Sequence, residues 1–217
     1  MGIAAGILDL FFPPKCVFCR KILQKGSKGI CSQCKKTIPF TQSPRMNKRG
    51  DFFEQCLSPL QYRGAVRESL LRFKFRGARS YSKVYAGLIA ETVKNDADAL
   101  CDIVTWVPIS PKRLRRRGYD QSRIMAAETA KILGLPLVKA LEKKRHTPPQ
   151  SGINGDDKRR ANAAGAYRAL LGSEYSGKRV LLIDDIVTSG ATLSECARVL
   201  LMGGAEAVIC ATLARSE

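Results

Sequence analysis

Residues 180–192 read VLLIDDIVTSGAT, and this stretch decides the fold that the rest of the chain must accommodate. Its four consecutive aliphatic residues, preceded by Arg179, are typical of a central strand in a parallel sheet that is buried on both faces. The acidic pair Asp184-Asp185 and a loop of small residues follow, and a helix is predicted from Thr192 to Met202. This order predicts an α/β fold whose ligand crevice lies at the carboxyl ends of the strands.

The loop after the acidic pair has the composition of an anion site. Gly190 allows a tight turn, and the consecutive N–H groups of residues 188–192 can form a nest for a phosphate at the N-terminus of a helix. The two carboxylates can accept hydrogen bonds from the vicinal hydroxyls of a sugar, so the stretch predicts a ribose 5′-phosphate site. The competing interpretation, a capped helix preceded by two solvated aspartates, does not require two adjacent like charges after a buried strand. The predicted phosphate-binding residues are Val187, Thr188, Ser189, Gly190, Ala191 and Thr192.

The remaining periodicity predicts further strands and helices. Strands are predicted over residues 103–107, 135–141 and 208–213, a helix over 122–133, and two helices between 63 and 94 that break at Gly77. The polar stretch 146–164 is long for an ordinary connection and is predicted to be a functional lid. Together these elements predict an open, mostly parallel sheet with right-handed crossovers. Neither GxxxxGK[ST] nor GxGxxG occurs in the chain, so ATPase and dinucleotide-binding functions lose their support.

Four of the eight cysteines form two C-x-x-C knuckles that are predicted to bind zinc. Two such turns can aim four thiolates at one tetrahedral centre, which leaves no position for water and makes the metal structural. The alternatives are two disulfides, which we do not expect without an export signal, and a redox-active C-x-x-C, which lacks its βαβ setting. Cys56, Cys101, Cys196 and Cys210 are instead predicted to be small core residues. The predicted zinc ligands are Cys16, Cys19, Cys31 and Cys34.

Composition and charge exclude several classes of protein. The chain has 217 residues, 45% of them hydrophobic, so it is neither wholly disordered nor fibrous. No apolar run reaches the ~20 residues of a membrane span, and no basic segment precedes the apolar start, so we expect a cytoplasmic protein with no membrane span. His146 is the only histidine, which excludes zinc sites that need two. The net charge of +18 predicts an anionic partner.

The 180–192 stretch resembles the phosphoribosyl diphosphate signature of the type I phosphoribosyltransferases. The resemblance implies that Asp184 and Asp185 hold the ribose hydroxyls, that residues 187–192 hold the 5′-phosphate, and that Mg²⁺ bridges the diphosphate and the ribose. It also implies a mobile hood loop over residues 144–162 and a diphosphate loop after the first strand of the sheet, at residues 107–112. The residues of that second loop assigned to the ligand are Ile109, Ser110 and Lys112.

The chain as a whole resembles the ComF-type competence proteins, which join a Cys₄ zinc module to a phosphoribosyltransferase-like domain. Beyond the signature, the match is carried by LRFKFRG at 71–77, VP at 107–108 followed by RRRGYDQ at 115–121, RHTPPQ at 145–150 and RRAN at 159–162. We expect a zinc-binding module over residues 1–50 and a phosphoribosyltransferase-like domain over 51–217. Within that domain, residues 51–100 form a helical hood region and 101–217 the core sheet. The resemblance implies a role in natural transformation, with proteins of the competence machinery as partners.

Basic residues are concentrated in three segments. They outnumber acidic residues by ten to one over residues 1–50, seven to one over 63–83 and six to one over 111–123. In the last segment, Arg116 and Arg117 are the candidates to neutralise a diphosphate leaving group. The remaining excess predicts a surface for single-stranded DNA, unless it is only a solvated basic surface over core aromatics. The rings on which bases would stack are those of Phe73, Phe75, Tyr81, Tyr85 and Tyr119.

Two functions of different classes remain open. As an enzyme, the protein would be an Mg²⁺-dependent phosphoribosyltransferase with an unidentified acceptor and with Asp184, Asp185, Arg116 and Arg117 in its catalytic site. As a DNA-uptake factor, it would bind phosphoribosyl diphosphate and single-stranded DNA without necessarily turning over. Purine-salvage members of the type I family place an acid where this chain has Thr188, so this residue and the surplus charge favour the second function.

Two further expectations concern the acceptor. The glutamine-using member of the type I family begins with a nucleophilic cysteine, which this chain lacks at Gly2, so glutamine hydrolysis is excluded. Since the last predicted strand ends close to Glu217, an acceptor-binding hood has to come from residues before about 100. This places the zinc module near the active site.

Overall fold

A five-stranded parallel sheet forms the centre of the molecule. The computed structural model describes residues 13–24, 26–44, 51–144, 161, 163–170 and 174–216. The strands in this part of the chain are β1 Gln55–Leu57, β2 Leu60–Gln61, β3 Ile103–Trp106, β4 Leu141–Lys143, β5 Tyr167–Ala169, β6 Arg179–Val187 and β7 Ala207–Arg215. In the sheet, β6 lies between β3 and β7, while β1 and β2 pair with successive parts of the other edge of β7. A separate antiparallel pair is formed by β4 and β5.

Helices cover both faces of the sheet, so the predicted α/β fold with a mostly parallel sheet is confirmed. The helices are α1 Ser32–Thr37, α2 Gly64–Phe75, α3 Tyr81–Asp96, α4 Pro111–Arg117, α5 Gln121–Leu133 and α6 Ala191–Met202. On one face of the sheet, residues of α2, α3 and α5 share a core with Leu181 and Ile183; on the other face, α6 shares a core with Val180 and Leu182. Successive side chains of β6 point to opposite faces, and because both faces are covered, its aliphatic run is continuous.

The zinc knuckles pack on the first of these helical layers. Val17 and Phe18, which lie between two of the predicted zinc ligands, are buried in the same core as residues of α2 and α3. Ser69 Oγ donates to the Val17 carbonyl at 2.5 Å, and Arg72 Nη2 donates to the carbonyls of Val17 and Phe18 at 3.1 and 2.6 Å. The knuckle is therefore joined to α2 by both apolar packing and hydrogen bonds.

Two predicted elements differ in the structure. The strand expected over 135–141 is reduced to a single parallel bridge between Leu137 and Val104, and the chain then turns into the β4–β5 hairpin. In the segment expected as a diphosphate loop, residues 107–110 are irregular and a helix begins at Pro111, where the Ser110 side chain accepts from the N–H of Arg113. The predicted hood loop lies almost wholly outside the described residues, as do His146 and the boundary expected at residue 50.

The scattered cysteines are core residues, as predicted. Cys56, Cys196 and Cys210 are fully buried against the sheet and Cys101 is partly buried. Burial raises the pKa of the Cys56 thiol to about 12, so this thiol is neutral. Among the described residues, no helix combines the length and the apolar character needed to cross a membrane.

Candidate functional site

A cavity of about 370 Å³ lies where β3 and β6 end, at the edge of the sheet where an α/β fold binds its ligands. Four parts of the chain form most of its wall: the end of β6 with the loop after it, residues 107–117, α2, and the β4–β5 hairpin. It brings together ten of the predicted ribose, phosphate and diphosphate residues. These are Ile109, Arg116, Arg117, Asp184, Asp185, Val187, Thr188, Gly190, Ala191 and Thr192.

The acidic pair lies at the floor of this cavity, and its two carboxylates have different partners. Asp184 Oδ1 accepts from Ser122 Oγ at 2.7 Å and from the N–H of Asp185 at 2.9 Å. Asp185 is buried and forms an ion pair with Lys74, whose Nζ is 3.0 Å from Oδ2. Burial and the adjacent charge of Asp185 raise the pKa of Asp184 to about 7. One carboxylate is therefore paired with a lysine, while the other gains and loses its proton near neutral pH.

The loop after β6 has the geometry of a phosphate site. Gly190 has a φ of +78°, a left-handed conformation that glycine adopts without strain, and it is the N-cap residue of α6. Glycine has no side chain to cap this helix, so within the described part of the chain the first N–H groups of the helix remain for an anion. Ser189 does not line the cavity; its Oγ is buried and has no hydrogen-bond partner in the described part of the chain.

Residues 107–117 supply a cationic wall rather than a loop of free amides. The N–H of Ile109 donates to Asp120 Oδ2 at 3.2 Å, and Ser110 is buried as the cap of α4. Lys112 is exposed and does not line the cavity. The positive charges on this side come instead from α4, through Arg113, Arg116 and Arg117. An anion such as a diphosphate would therefore meet guanidinium groups here, which bind phosphate oxygens in a bidentate manner.

Sequence reasoning missed several residues that complete the site. Lys74 and Arg67 reach the cavity from α2, and Lys143 reaches it from β4. Ser122, which holds Asp184, comes from the first turn of α5. The only signal that could have found Lys74 is its place in the LRFKFRG motif, which carries no chemistry by itself. Residues before 100 thus contribute to the cavity through α2 and Tyr62, and the knuckle cysteines do not line it.

The four predicted zinc ligands form one compact cluster. The Sγ atoms of Cys16, Cys19, Cys31 and Cys34 all lie within 4.8 Å of one another. Tetrahedral zinc, with Zn–S bonds of about 2.3 Å, places sulfur atoms about 3.8 Å apart, so the cluster fits the metal. The N–H of Cys31 donates to Cys16 Sγ at 3.4 Å. Although burial opposes ionisation, backbone donors lower the pKa of Cys16 to about 7. This donor set supports a structural zinc ion.

The aromatic residues predicted to stack on DNA bases differ in how far they are buried. Phe73, Tyr85 and Tyr119 are buried in the core, where Phe73 and Tyr85 pack edge to face with ring centroids 5.2 Å apart. Tyr81 is half-buried. Phe75 alone of the five is exposed, with 61% of its surface accessible. Three of these rings therefore serve packing, and only Phe75 is presented to solvent at the cavity.

Comparison with known proteins agrees with this architecture. Residues 7–62 match the Double zinc ribbon domain family, and residues 120–217 match the Phosphoribosyl transferase domain family. Competence protein F of Haemophilus influenzae is 28% identical, and the match covers 95% of this chain and 99% of that protein. DNA utilization protein YhgH of Escherichia coli K12 is 26% identical, and the match covers 94% of this chain and 100% of that protein.

A solved structure is similar to part of the chain. Glutamine phosphoribosylpyrophosphate amidotransferase from Bacillus subtilis is 21% identical with a TM-score of 0.44. The match covers 64% of this chain but 30% of the enzyme, so this chain corresponds to less than a third of its length. The two domain matches and the two near-complete alignments lead to one conclusion. The chain is a relative of the ComF-type competence proteins over nearly its whole length, and it joins a double zinc ribbon domain to a phosphoribosyl transferase domain.

Proposed function

We propose that the protein is a cytoplasmic DNA-uptake factor that binds phosphoribosyl diphosphate with Mg²⁺ and also binds single-stranded DNA. One observation supports this ligand most directly: the paired carboxylates of Asp184 and Asp185, the loop at 187–192 apart from Ser189, and arginines of α4 all line one cavity. These three groups suit the ribose hydroxyls, the 5′-phosphate and the diphosphate. The names of the relatives, a competence protein and a DNA utilization protein, support the role in DNA uptake.

The chain's own residues would divide the work as follows. Asp184 and Asp185 accept hydrogen bonds from the ribose hydroxyls, while Ser122 and Lys74 hold the two carboxylates in place. The N–H groups at the start of α6 take the 5′-phosphate, and Arg116 and Arg117 face the diphosphate. Carboxylate oxygens are the ligands that Mg²⁺ prefers, so the acidic pair fits this ion. When bound, Mg²⁺ would neutralise part of the charge on the diphosphate.

A calorimetric titration tests the proposed ligand. Wild-type protein is titrated with phosphoribosyl diphosphate in the presence of Mg²⁺, beside the double variant Asp184→Asn, Asp185→Asn. Hydrogen bonds to charged groups contribute about 1.5–3 kcal/mol each, so we expect the double variant to bind at least about 100-fold more weakly. Asp102→Asn is the matched control, since this acid lies at the opposite end of β3 and should leave the affinity unchanged. No measurable heat with the wild-type protein would end the proposal.

The excess positive charge supports the second ligand. The chain has 37 lysines and arginines against 19 acidic residues, and within its described part six of the basic residues and two of the acidic ones line the cavity. Such an excess is typical of proteins that bind nucleic-acid phosphates. The test is the affinity for a single strand at several salt concentrations, where log K should fall by about 0.7 per phosphate neutralised for each unit of log salt. A salt-independent affinity would remove DNA binding from the proposal.

A second candidate function is an active Mg²⁺-dependent phosphoribosyltransferase with an unidentified acceptor. The arginines of α4 favour it, because they face the position of a leaving diphosphate. Thr188 weighs against it, because a hydroxyl replaces the acid that purine-salvage members use. Diphosphate release in the presence of pooled nucleobases and cellular amines separates the two functions. Release that depends on Asp184 and Asp185 would establish the enzyme, whereas tight ligand binding without release from any pool would leave the binding function alone.

A further inference from the structure

An exposed aromatic ring lies at the mouth of the cavity. Phe75 is the last residue of α2, 61% of its surface is accessible, and it lines the cavity. The other phenylalanine of the helix, Phe73, is fully buried in the core, so the helix does not need the ring of Phe75 for its packing. Its neighbour Lys74 reaches the acidic pair directly, with Nζ 3.0 Å from Asp185 Oδ2. The ring is therefore one residue away from a direct contact with the ribose site.

A guanidinium group covers part of this ring. The Arg117 guanidinium carbon lies 5.1 Å from the centroid of the Phe75 ring, within the range of a cation–π contact. Arg117 also donates to the side chain of Gln121, which fixes its plane. An aromatic face beside a fixed guanidinium is the arrangement on which nucleobases stack in single-strand binding proteins.

The α2 side of the cavity also carries positive charge. Among the described residues, six cationic side chains and two aspartates line the cavity, and Lys74 is paired with Asp185. Arg67 lies on α2 two helical turns before Phe75 and lines the same cavity. A phosphate of a ligand that reaches the α2 side would therefore meet a guanidinium group there.

We propose that Phe75, Arg117 and Arg67 form a subsite for a nucleotide at the mouth of the cavity, with the base stacked on the ring and its phosphate near the guanidinium groups. The subsite rests on the proposed function, because it places this nucleotide next to the phosphoribosyl site. The positive charge favours a phosphorylated nucleotide over a free base. The nucleotide can come from a DNA strand or from the free pool, and both sources present the same base and phosphate.

The test compares variants that keep or remove the ring. Binding of a labelled ten-nucleotide deoxyadenylate strand and of deoxyadenosine 5′-monophosphate is measured for the wild-type chain, Phe75→Leu and Phe75→Tyr. Because Phe75→Leu removes the stacking of a base on the ring, we expect its affinity to fall roughly tenfold, whereas Phe75→Tyr should retain the wild-type affinity. Phe52→Leu is the matched control, since Phe52 is also exposed, at 41%, and does not line the cavity. In Phe75→Trp, base stacking should quench the fluorescence of the added tryptophan, and the signal of Trp106 in the wild-type chain is subtracted as background.

Each result decides for or against the subsite. A loss in Phe75→Leu for the strand only identifies DNA as the source, a loss for the monophosphate only identifies the free nucleotide, and a loss for both shows a shared subsite. Equal affinities of Phe75→Leu and Phe52→Leu, or a wild-type chain that binds neither probe, would overturn it. The affinity of the wild-type chain for phosphoribosyl diphosphate is measured separately, so a failure of the proposed function is distinguished from a failure of this subsite.

Discussion

The zinc cluster and the cavity beside Asp184 both gather acidic groups at turns, but they differ in the hydrogen bonds that these regions make. In the zinc cluster, backbone N–H groups donate to the sulfurs, and the knuckle carbonyls accept from Ser69 and Arg72. In the cavity, the pKa of Asp184 is raised and the Ser189 hydroxyl is buried without a hydrogen-bond partner among the described residues. Uncompensated polar groups of this kind lower stability and are concentrated at functional sites. We therefore expect the first region to stabilise the fold and the second to receive a ligand.

The largest expected effect is that of removing the metal. Structural zinc in small modules contributes about 10–16 kcal/mol, so Cys16→Ser should abolish zinc binding and unfold the knuckles. Val17 and Phe18 would then leave the core that they share with α2 and α3. Bound zinc is measured by mass spectrometry and unfolding by circular dichroism, and we expect the melting temperature to fall by at least about 10 °C.

Cys101→Ser provides the control for this experiment. Cys101 is partly buried but lies outside the zinc cluster, so its replacement should leave the zinc content at one ion per chain. If Cys16→Ser retained one zinc ion and the wild-type melting temperature, the cluster would not be the stabilising element that the comparison describes.

A smaller effect is expected where the zinc knuckle touches α3. A Cβ added at Gly29 would lie 2.2 Å from Val84 Cγ2, and Gly29 has a φ of +72°. Gly29→Ala should therefore cost about 2–4 kcal/mol, from the strained backbone and from overpacking. Gly26→Ala is matched in its backbone strain, with a φ of +89°, but its added Cβ meets no described residue within 4 Å. Denaturant unfolding of both variants isolates the cost of the contact.

Removal of the opposing methyl groups provides the second half of that test. Val84→Ala should recover most of the additional loss in Gly29→Ala, because it opens the space that the new Cβ needs. Equal stabilities of the Gly29 and Gly26 variants would show that the knuckle is not packed tightly on α3.

The smallest expected effect is the pH dependence of the cavity. The pKa of Asp184 is about 7, so the ionised fraction rises about tenfold between pH 6 and pH 8. If ribose hydroxyls need the ionised form, the affinity for phosphoribosyl diphosphate with Mg²⁺ should rise by up to about tenfold over that interval. Calorimetry at several pH values measures this change, and Asp184→Asn should lose this dependence together with most of its affinity.

Stability should change with pH in the opposite direction. Because the pKa of Asp184 in the folded chain lies above its ordinary value of 3.8, the folded chain retains this proton between about pH 4 and pH 7. Its contribution to stability therefore falls as the pH rises through that window. Asp184→Asn should raise the melting temperature at pH 8 by a few degrees, since ~1 kcal/mol corresponds to about 2–4 °C at this size. A variant less stable than the wild type at pH 8 would contradict the assigned pKa.

Local sequence was sufficient for the parts of the fold that depend on neighbouring residues. The aliphatic run of β6, the acidic pair, the loop with Gly190 and the cysteine knuckles all carry their signal within a few residues. The strands β1 and β2 are only three and two residues long and exist through pairing with β7, so no periodicity could reveal them. Ser110 followed by Pro111 is typical of the start of a helix, but α4 was not predicted because this segment was interpreted as a diphosphate loop.

The candidate site divides in the same way. Asp184 and Asp185 follow from their position after a buried strand, but their partners come from distant parts of the chain. Ser122 is 62 residues away from Asp184, and Lys74 is farther still from Asp185. Only the packing of α2 and α5 on the sheet brings these side chains together. Similarly, the sequence could not separate Phe73, which fills the core, from Phe75, which is exposed two residues later.

The helix α2 has one consequence for how the chain tolerates change. One side of this helix holds the zinc knuckle through Ser69 and Arg72, and another side presents Arg67, Lys74 and Phe75 to the cavity. Inserting or deleting a single residue within the helix rotates everything beyond that point by about 100°. Such a change would take side chains away from both neighbours at once. The length of this segment is therefore fixed by two unrelated requirements.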